Sequence, residues 1–216
     1  MTRSAFLRAR RPEHKQQRRE AILDAARELA TSSGVRNVSL GAVAEAVGLA
    51  KSNIVRYFGT REEIYLQLAT EEGERWAEAV AERLREAGGT ADTVTALAET
   101  LAERPLFCDL LSNLSTSLEH NVSVPAARAY KRAVLGQLAE VGRQVADSTD
   151  LTEGEGMELV TAAVALASVL YPICNPPPTI VQLYAEDPDL AAACPPFAPT
   201  LGRTLSAIAA GLPTLR

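Results

Sequence analysis

Apolar residues recur along this chain at three- and four-residue steps and show no alternating stretch, so the pattern predicts helices and no strands. Ile22, Ala25, Ala26 and Leu29 make one helical stripe, entered at about Arg18 and stopped by Gly34. Ser39 is placed to cap a short second helix whose inner face is Leu40, Val43, Ala44 and Val47. Gly48 can take the left-handed turn that other residues resist. A third helix is expected from about Ala50 to Phe58, with Ile54 and Phe58 inward. Gly59 closes it. Thr60 and Glu63 then read as a capping box that opens a long helix to about Ala87. Ile64, Leu68, Trp76, Val80 and Leu84 line that helix, Gly73 is expected to bend it, and Gly88-Gly89 to end it.

The remainder reads as helices over 91–103, 105–119, 124–147, 152–174, 179–185 and 199–212. Pro105 suits a helix start, Thr152 and Glu155 make a second capping box, and Asn175-Pro176-Pro177-Pro178 is a rigid break. Residues 1–17 lack steady periodicity and hold Arg3, Arg8, Arg10, Arg11 and Lys15, so a basic flexible arm is expected there. The fold class expected is all-α. A three-helix head (18–63) carrying a helix-turn-helix is expected, followed by a larger C-terminal helical domain (64–216).

Composition sharpens this. The 216 residues are 47% apolar and 23% charged, as in a globular protein. The net charge of −5 hides an asymmetry, because residues 1–61 carry 12 Lys+Arg against 5 Asp+Glu. A basic head on an acidic body suits a polyanion bound at one end. Cys108, Cys174 and Cys194 are widely spaced and odd in number, and the histidines are His14 and His120. That argues against a metal site or a disulfide framework and for reduced cysteines packed as small hydrophobes, with a thiol redox sensor as the lesser alternative. No apolar run nears 18 residues, so no membrane span is expected. A long apolar stretch after the basic N-terminus is lacking, so no secretory signal is expected and the location is cytoplasmic, at the nucleoid. No Gly-rich phosphate loop or nucleophile motif points to catalysis, and no cofactor is expected.

The head supplies the chemistry. The second helix of such a unit enters the major groove of double-stranded DNA. Lys51, Ser52, Asn53 and Arg56 on it are candidates for base edges, since Lys and Arg suit guanine and Asn suits adenine. Ser39, Tyr57, Thr60 and Arg61 are candidates for phosphates.

Residues 38–63, VSLGAVAEAVGLAKSNIVRYFGTREE, resemble the TetR family of bacterial transcriptional regulators. Gly48-Leu49-Ala50-Lys51, Ile54, Tyr57-Phe58 and Gly59-Thr60-Arg61-Glu62 carry the resemblance, and residues 18–65 share it. Two positions depart from the family pattern. Ala50 replaces the usual serine or threonine cap, and Val55 replaces a frequent aromatic. The resemblance implies a homodimer, an inducer pocket in the C-terminal domain and, usually, repression.

The helices over 159–173 and 199–212 are apolar round much of their circumference, which asks for cover from a second subunit. Ala162, Ala165, Val169, Leu205, Ile208 and Ala209 are the candidate dimer contacts. A dimer also sets two reading helices about 34–36 Å apart, as successive major grooves require. Phe107, Leu110, Asn113, Leu114, Tyr130 and Tyr171 are candidates for a small-molecule effector. The reading is a ligand-responsive repressor on a palindromic operator. An architectural DNA-binding protein without an effector, and an activator, stay open as alternatives.

Overall fold

The computed structural model describes residues 3–216, with side chains from His14 onward. Ten α-helices and several short turns follow in order, and no strand occurs among the described residues. Helix α1 is Arg3–Ser33, α2 is Leu40–Ala46, α3 is Lys51–Ile54 and α4 is Arg61–Leu84. The body adds α5 Thr90–Ala102, α6 Pro105–Asn113, α7 Val124–Asp147, α8 Glu153–Cys174, α9 Pro178–Glu186 and α10 Phe197–Gly211.

The capping signals place the helix starts. Ser39 Oγ accepts from Ala42 N at 3.1 Å, and Thr60 Oγ1 from Glu63 N at 3.1 Å. Thr152 and Glu155 complete a reciprocal box, with Thr152 N donating to Glu155 at 2.8 Å. Gly48 holds φ +65° between α2 and α3, as its place in the turn requires.

Four features differ from expectation. Helix α1 starts at Arg3 rather than Arg18. Residues 3–17 hold four Arg, two Ala and two Gln, all good helix formers, so propensity favours a helix that apolar periodicity does not announce. Helix α3 is one turn, and tighter turns carry the chain to Phe58, with Tyr57 N on Ile54 O at 2.8 Å. Gly73 does not interrupt α4, which runs through it as one helix. The Gln137 side chain of α7 lies across it, since a Cβ there would lie 2.5 Å from Gln137 Oε1. The last turn of the 105–119 segment widens into a π-helix over Leu114–Leu118.

Two apolar clusters hold the fold. The first joins Ile22, Val43, Ile54 and Phe58 of the head to Ile64, Tyr65 and Leu68 of α4, and also takes in Leu110, Leu118 and Tyr130 from the body. The second is the body core, around Trp76, Leu97, Leu101, Phe107, Leu159 and Leu205. Trp76 Nε1 donates to Thr100 Oγ1 at 3.0 Å inside it. Helices α7 and α8 cross with their backbones in near contact. A Cβ on Gly156 would lie 2.3 Å from Gly142 O, and one on Gly142 would lie 2.7 Å from Met157 Cα.

Helix α8 is long and apolar enough by composition to cross a membrane, contrary to the expectation of no membrane span. In this fold its inner face packs on α6, α7 and α10. Its outer face leaves Met157, Thr161, Ala165, Val169 and Ile173 exposed at four-residue steps.

Candidate nucleic-acid interface

The head presents α3 on a base of buried Ile54 and Phe58. Ile54 is four residues before Phe58, so both point inward and the residues between point out. Lys51, Ser52, Asn53, Val55 and Arg56 are all exposed. Ala50 is the N-cap and makes no side-chain cap bond, as its methyl dictates. Lys51 folds back across α2, where a Cβ on Gly41 would meet its Cε at 2.6 Å and Ser39 Oγ at 3.4 Å. The Lys51 ammonium and the Ser39 hydroxyl therefore sit together at the start of α2, with Asn53 and Arg56 further along.

The remaining candidates are partly occupied. Tyr57 is half-buried, and its carbonyl accepts from Arg19 Nη1 at 2.8 Å. The Arg19 guanidinium lies 4.0 Å above the Phe58 ring and braces the end of this segment from α1. Thr60 uses its oxygen as a helix cap.

Arg61 departs from its expected part as a phosphate contact. Its Nε donates to Val38 O at 2.6 Å and its Nη2 to Val35 O, while the guanidinium stacks 4.6 Å from the Tyr65 ring centroid. The side chain is turned inward because two buried carbonyls of the α1–α2 connection need donors there. Val35 is also held from the body, by Asp109 Oδ2 accepting from its N–H at 2.7 Å. Sequence reasoning passed over Asp109, whose role depends on a partner 74 positions away.

Glu63 is a further residue whose reach the sequence half disclosed. It reaches back to Gly59 N rather than to its own cap residue, at 2.9 Å. Its other oxygen accepts from Ser123 N, at 2.9 Å, at the start of α7. Partial burial pushes the carboxyl up, but the bonds from Ser123 and Gly59 and the nearby Arg19 charge outweigh it. The net pKa lies below the usual carboxylate range. A depressed folded-state pKa contributes stability above the ordinary carboxylate range, lost as pH falls through the folded value. Glu63→Gln is therefore expected to lower the neutral plateau, to change little at acid pH where the parent carboxyl is protonated, and so to flatten the acid limb of the stability–pH curve. Thermal melts from about pH 6 to pH 3 check this.

In the body, Phe107, Leu114 and Tyr130 line a cavity of about 220 Å³ between α4, α6, α7 and α8. Trp76, Leu111, Val134 and Val164 complete its apolar wall, and Glu119, Lys131 and Gln137 give it polar groups. It continues into an open groove of about 270 Å³ that reaches Thr161, Ala165 and Ser168 on α8. The other three candidates lie elsewhere. Leu110 is fully buried in the head's cluster, because α6 packs there against α4 and the α1–α2 connection. Asn113 lines a separate cavity of about 520 Å³ at the head–body junction and bonds back to Asp109. Tyr171 packs edge-on to Phe197 at 6.0 Å.

The dimer candidates divide in the same way. Ala165 and Val169 are exposed, and Ala162 and Ile208 are half-buried. Leu205 and Ala209 are 0% and 2% exposed, so they belong to this chain's own core. Helix α10 turns its 201/205/209 face onto α5 and α8, and shows Arg203, Ser206, Ala207 and Ala210 outward.

Comparison with known proteins agrees with this architecture. Residues 22–68 match the family described as bacterial regulatory proteins, tetR family, and residues 70–216 match the tetracyclin repressor-like C-terminal domain. No curated protein matches the chain by sequence. Among solved structures, a possible TetR family transcriptional regulator from Streptomyces coelicolor A3(2) superposes with a TM-score of 0.59 at 15% identity, covering 92% of this chain and 100% of that one. The fatty acid degradation regulator FadR from Bacillus halodurans gives 0.57 at 14% identity, covering 89% and 97%. RolR in complex with resorcinol gives 0.53 at 17% identity, covering 92% and 96%. With the family matched across both the reading head and the helical body, this chain belongs to the TetR family of transcriptional regulators.

Proposed function

We propose that this protein is a ligand-responsive repressor that binds a palindromic operator as a homodimer. The observation that carries the reading is the exposed polar face of residues 51–56 over buried Ile54 and Phe58. In this reading Asn53 and Arg56 address base edges, and Ser52 lets the backbone come close. Lys51 moves to the phosphate side, beside Ser39. Tyr57 and Thr60 border the backbone.

Dimerisation is supported by the uncovered α8 face, where Met157, Ala165, Val169 and Ile173 would leave apolar surface in water. The same face of a second copy, with the outward side of α10, would cover it about a two-fold axis. Two heads on one operator then multiply a weak single-head affinity.

The effector site is the α4–α6–α7–α8 cavity. Its walls suit a small molecule with an apolar body and one polar group facing Glu119, Lys131 or Gln137. RolR, which shares the fold, is seen in complex with the small molecule resorcinol. Tyr130 lines the cavity and also belongs to the apolar cluster of the head, which gives a route from ligand to α4. A ligand shifts the head only through its differential affinity for the two arrangements.

Genome-wide recovery of DNA bound by the purified protein would give the operator. On that site, Asn53→Ala and Arg56→Ala are each expected to cost about 1–3 kcal/mol and to relax base preference. Lys51→Ala should weaken all sequences alike and lower the salt slope by about one. Equal affinity for the recovered site and a scrambled one would end the reading.

A further inference from the structure

None of residues 175–193 is buried, although the segment holds α9 and the turn at Pro188–Ala193. Val181, Leu183 and Leu190 are 54%, 40% and 45% exposed, and α9 packs chiefly on the turn that follows it. The segment is a lobe standing off the body. Its two ends meet again at cysteines. Cys194 donates its S–H to the Cys174 carbonyl at 3.5 Å, and both residues are half-buried rather than enclosed. The third cysteine differs. Cys108 is fully buried, donates to Leu101 O at 3.3 Å, and has its thiol pushed up to about 12 by burial.

We infer that Cys174 and Cys194 are a modification site, where exchange with a small-molecule disulfide forms an intramolecular disulfide that closes the 175–193 lobe. The Cys194 sulfur lies against the Cys174 carbonyl at 3.5 Å, so a shift of the lobe ends is all that closing to the Cα separation of about 4.4–6.8 Å of a disulfide asks. The uncovered lobe can supply the remaining adjustment without disturbing a core. Burial and the neighbouring Cys194 disfavour the Cys174 thiolate, so Cys194 makes the first attack. Its thiolate bonds to one sulfur of the small disulfide and expels the other as a thiolate. The Cys174 thiolate then attacks the Cys194 sulfur of this mixed disulfide and expels the second small thiolate. The two protons from the cysteines end on the two expelled thiols. The protein loses two electrons and the small disulfide gains them. This inference stands apart from the DNA-binding reading, since it concerns the lobe alone.

The test uses the full-length native protein and glutathione disulfide as the probe, followed by acid quenching, intact mass and a peptide map. The parent and Cys108→Ser should each lose two hydrogens and yield a peptide joining Cys174 to Cys194, reversed by dithiothreitol. Cys174→Ser should stop at one glutathione on Cys194. Amide exchange over 178–193 should slow by about tenfold or more in the oxidised form, because loop closure limits opening. A bond to Cys108, a bond between two chains, or a parent whose two thiols stay free or carry separate glutathiones would overturn the inference.

Discussion

Gly156→Ala should destabilise the body by about 3 kcal/mol, although alanine is the better helix former by about 1 kcal/mol. The added Cβ would lie 2.3 Å from Gly142 O and 3.3 Å from Ala146 N, which are backbone atoms of α7 with no rotamer to change. The helices must separate, and that opens the α7–α8 crossing. Gly136→Ala is the control on the same α7, since nothing lies within 4 Å of a Cβ there. It should gain about 0.5–1 kcal/mol from propensity alone. Urea denaturation reads both as midpoint shifts of opposite sign. A Gly156→Ala variant as stable as Gly136→Ala would show that the crossing is looser than its geometry.

Arg61→Ala should cost the head about 2–3 kcal/mol, because the carbonyls of Val35 and Val38 lose a charged donor while their residues remain buried. Arg61→Lys should recover only part of this, since an ammonium lacks the fork that reaches both oxygens. The salt dependence of DNA binding separates this role from a phosphate contact. At temperatures where the variants stay folded, the slope should match that of the parent. A slope lower by about one in Arg61→Ala, with stability unchanged, would return Arg61 to the DNA surface.

These two residues mark where the sequence stops being legible. Ser39, Thr60, Thr152 and Pro105 act on backbone groups within a few positions, so spacing alone places the starts of α2, α4, α8 and α6. The outward face of 51–56 is equally local, because one helical turn decides which side chains Ile54 and Phe58 leave exposed. Arg61 sits inside the same motif, yet its partners lie 23 and 26 positions away, and a motif cannot say which way a long side chain turns. Gly142 and Gly156 look like weak points within helices until the two helices are set against each other. Leu205 and Ala209 mislead for a related reason. An apolar helix face demands cover, but the pattern does not say whether this chain or a second copy gives it.

The apolar cluster of the head ignores the boundary at residues 63/64 that the sequence suggests. It runs through Ile64, Tyr65 and Leu68 and ends on Leu110, Leu118 and Tyr130. The reading head is therefore not a portable cassette. A transplant cut at Glu63 would leave Ile54 and Phe58 facing solvent on their α4 side. A chimaera that respected α4 would still have to match the α6 and α7 surfaces beneath it. In the proposed reading, operator choice and effector choice would rest on the same block of packed side chains, and exchange of one between relatives would carry the other with it.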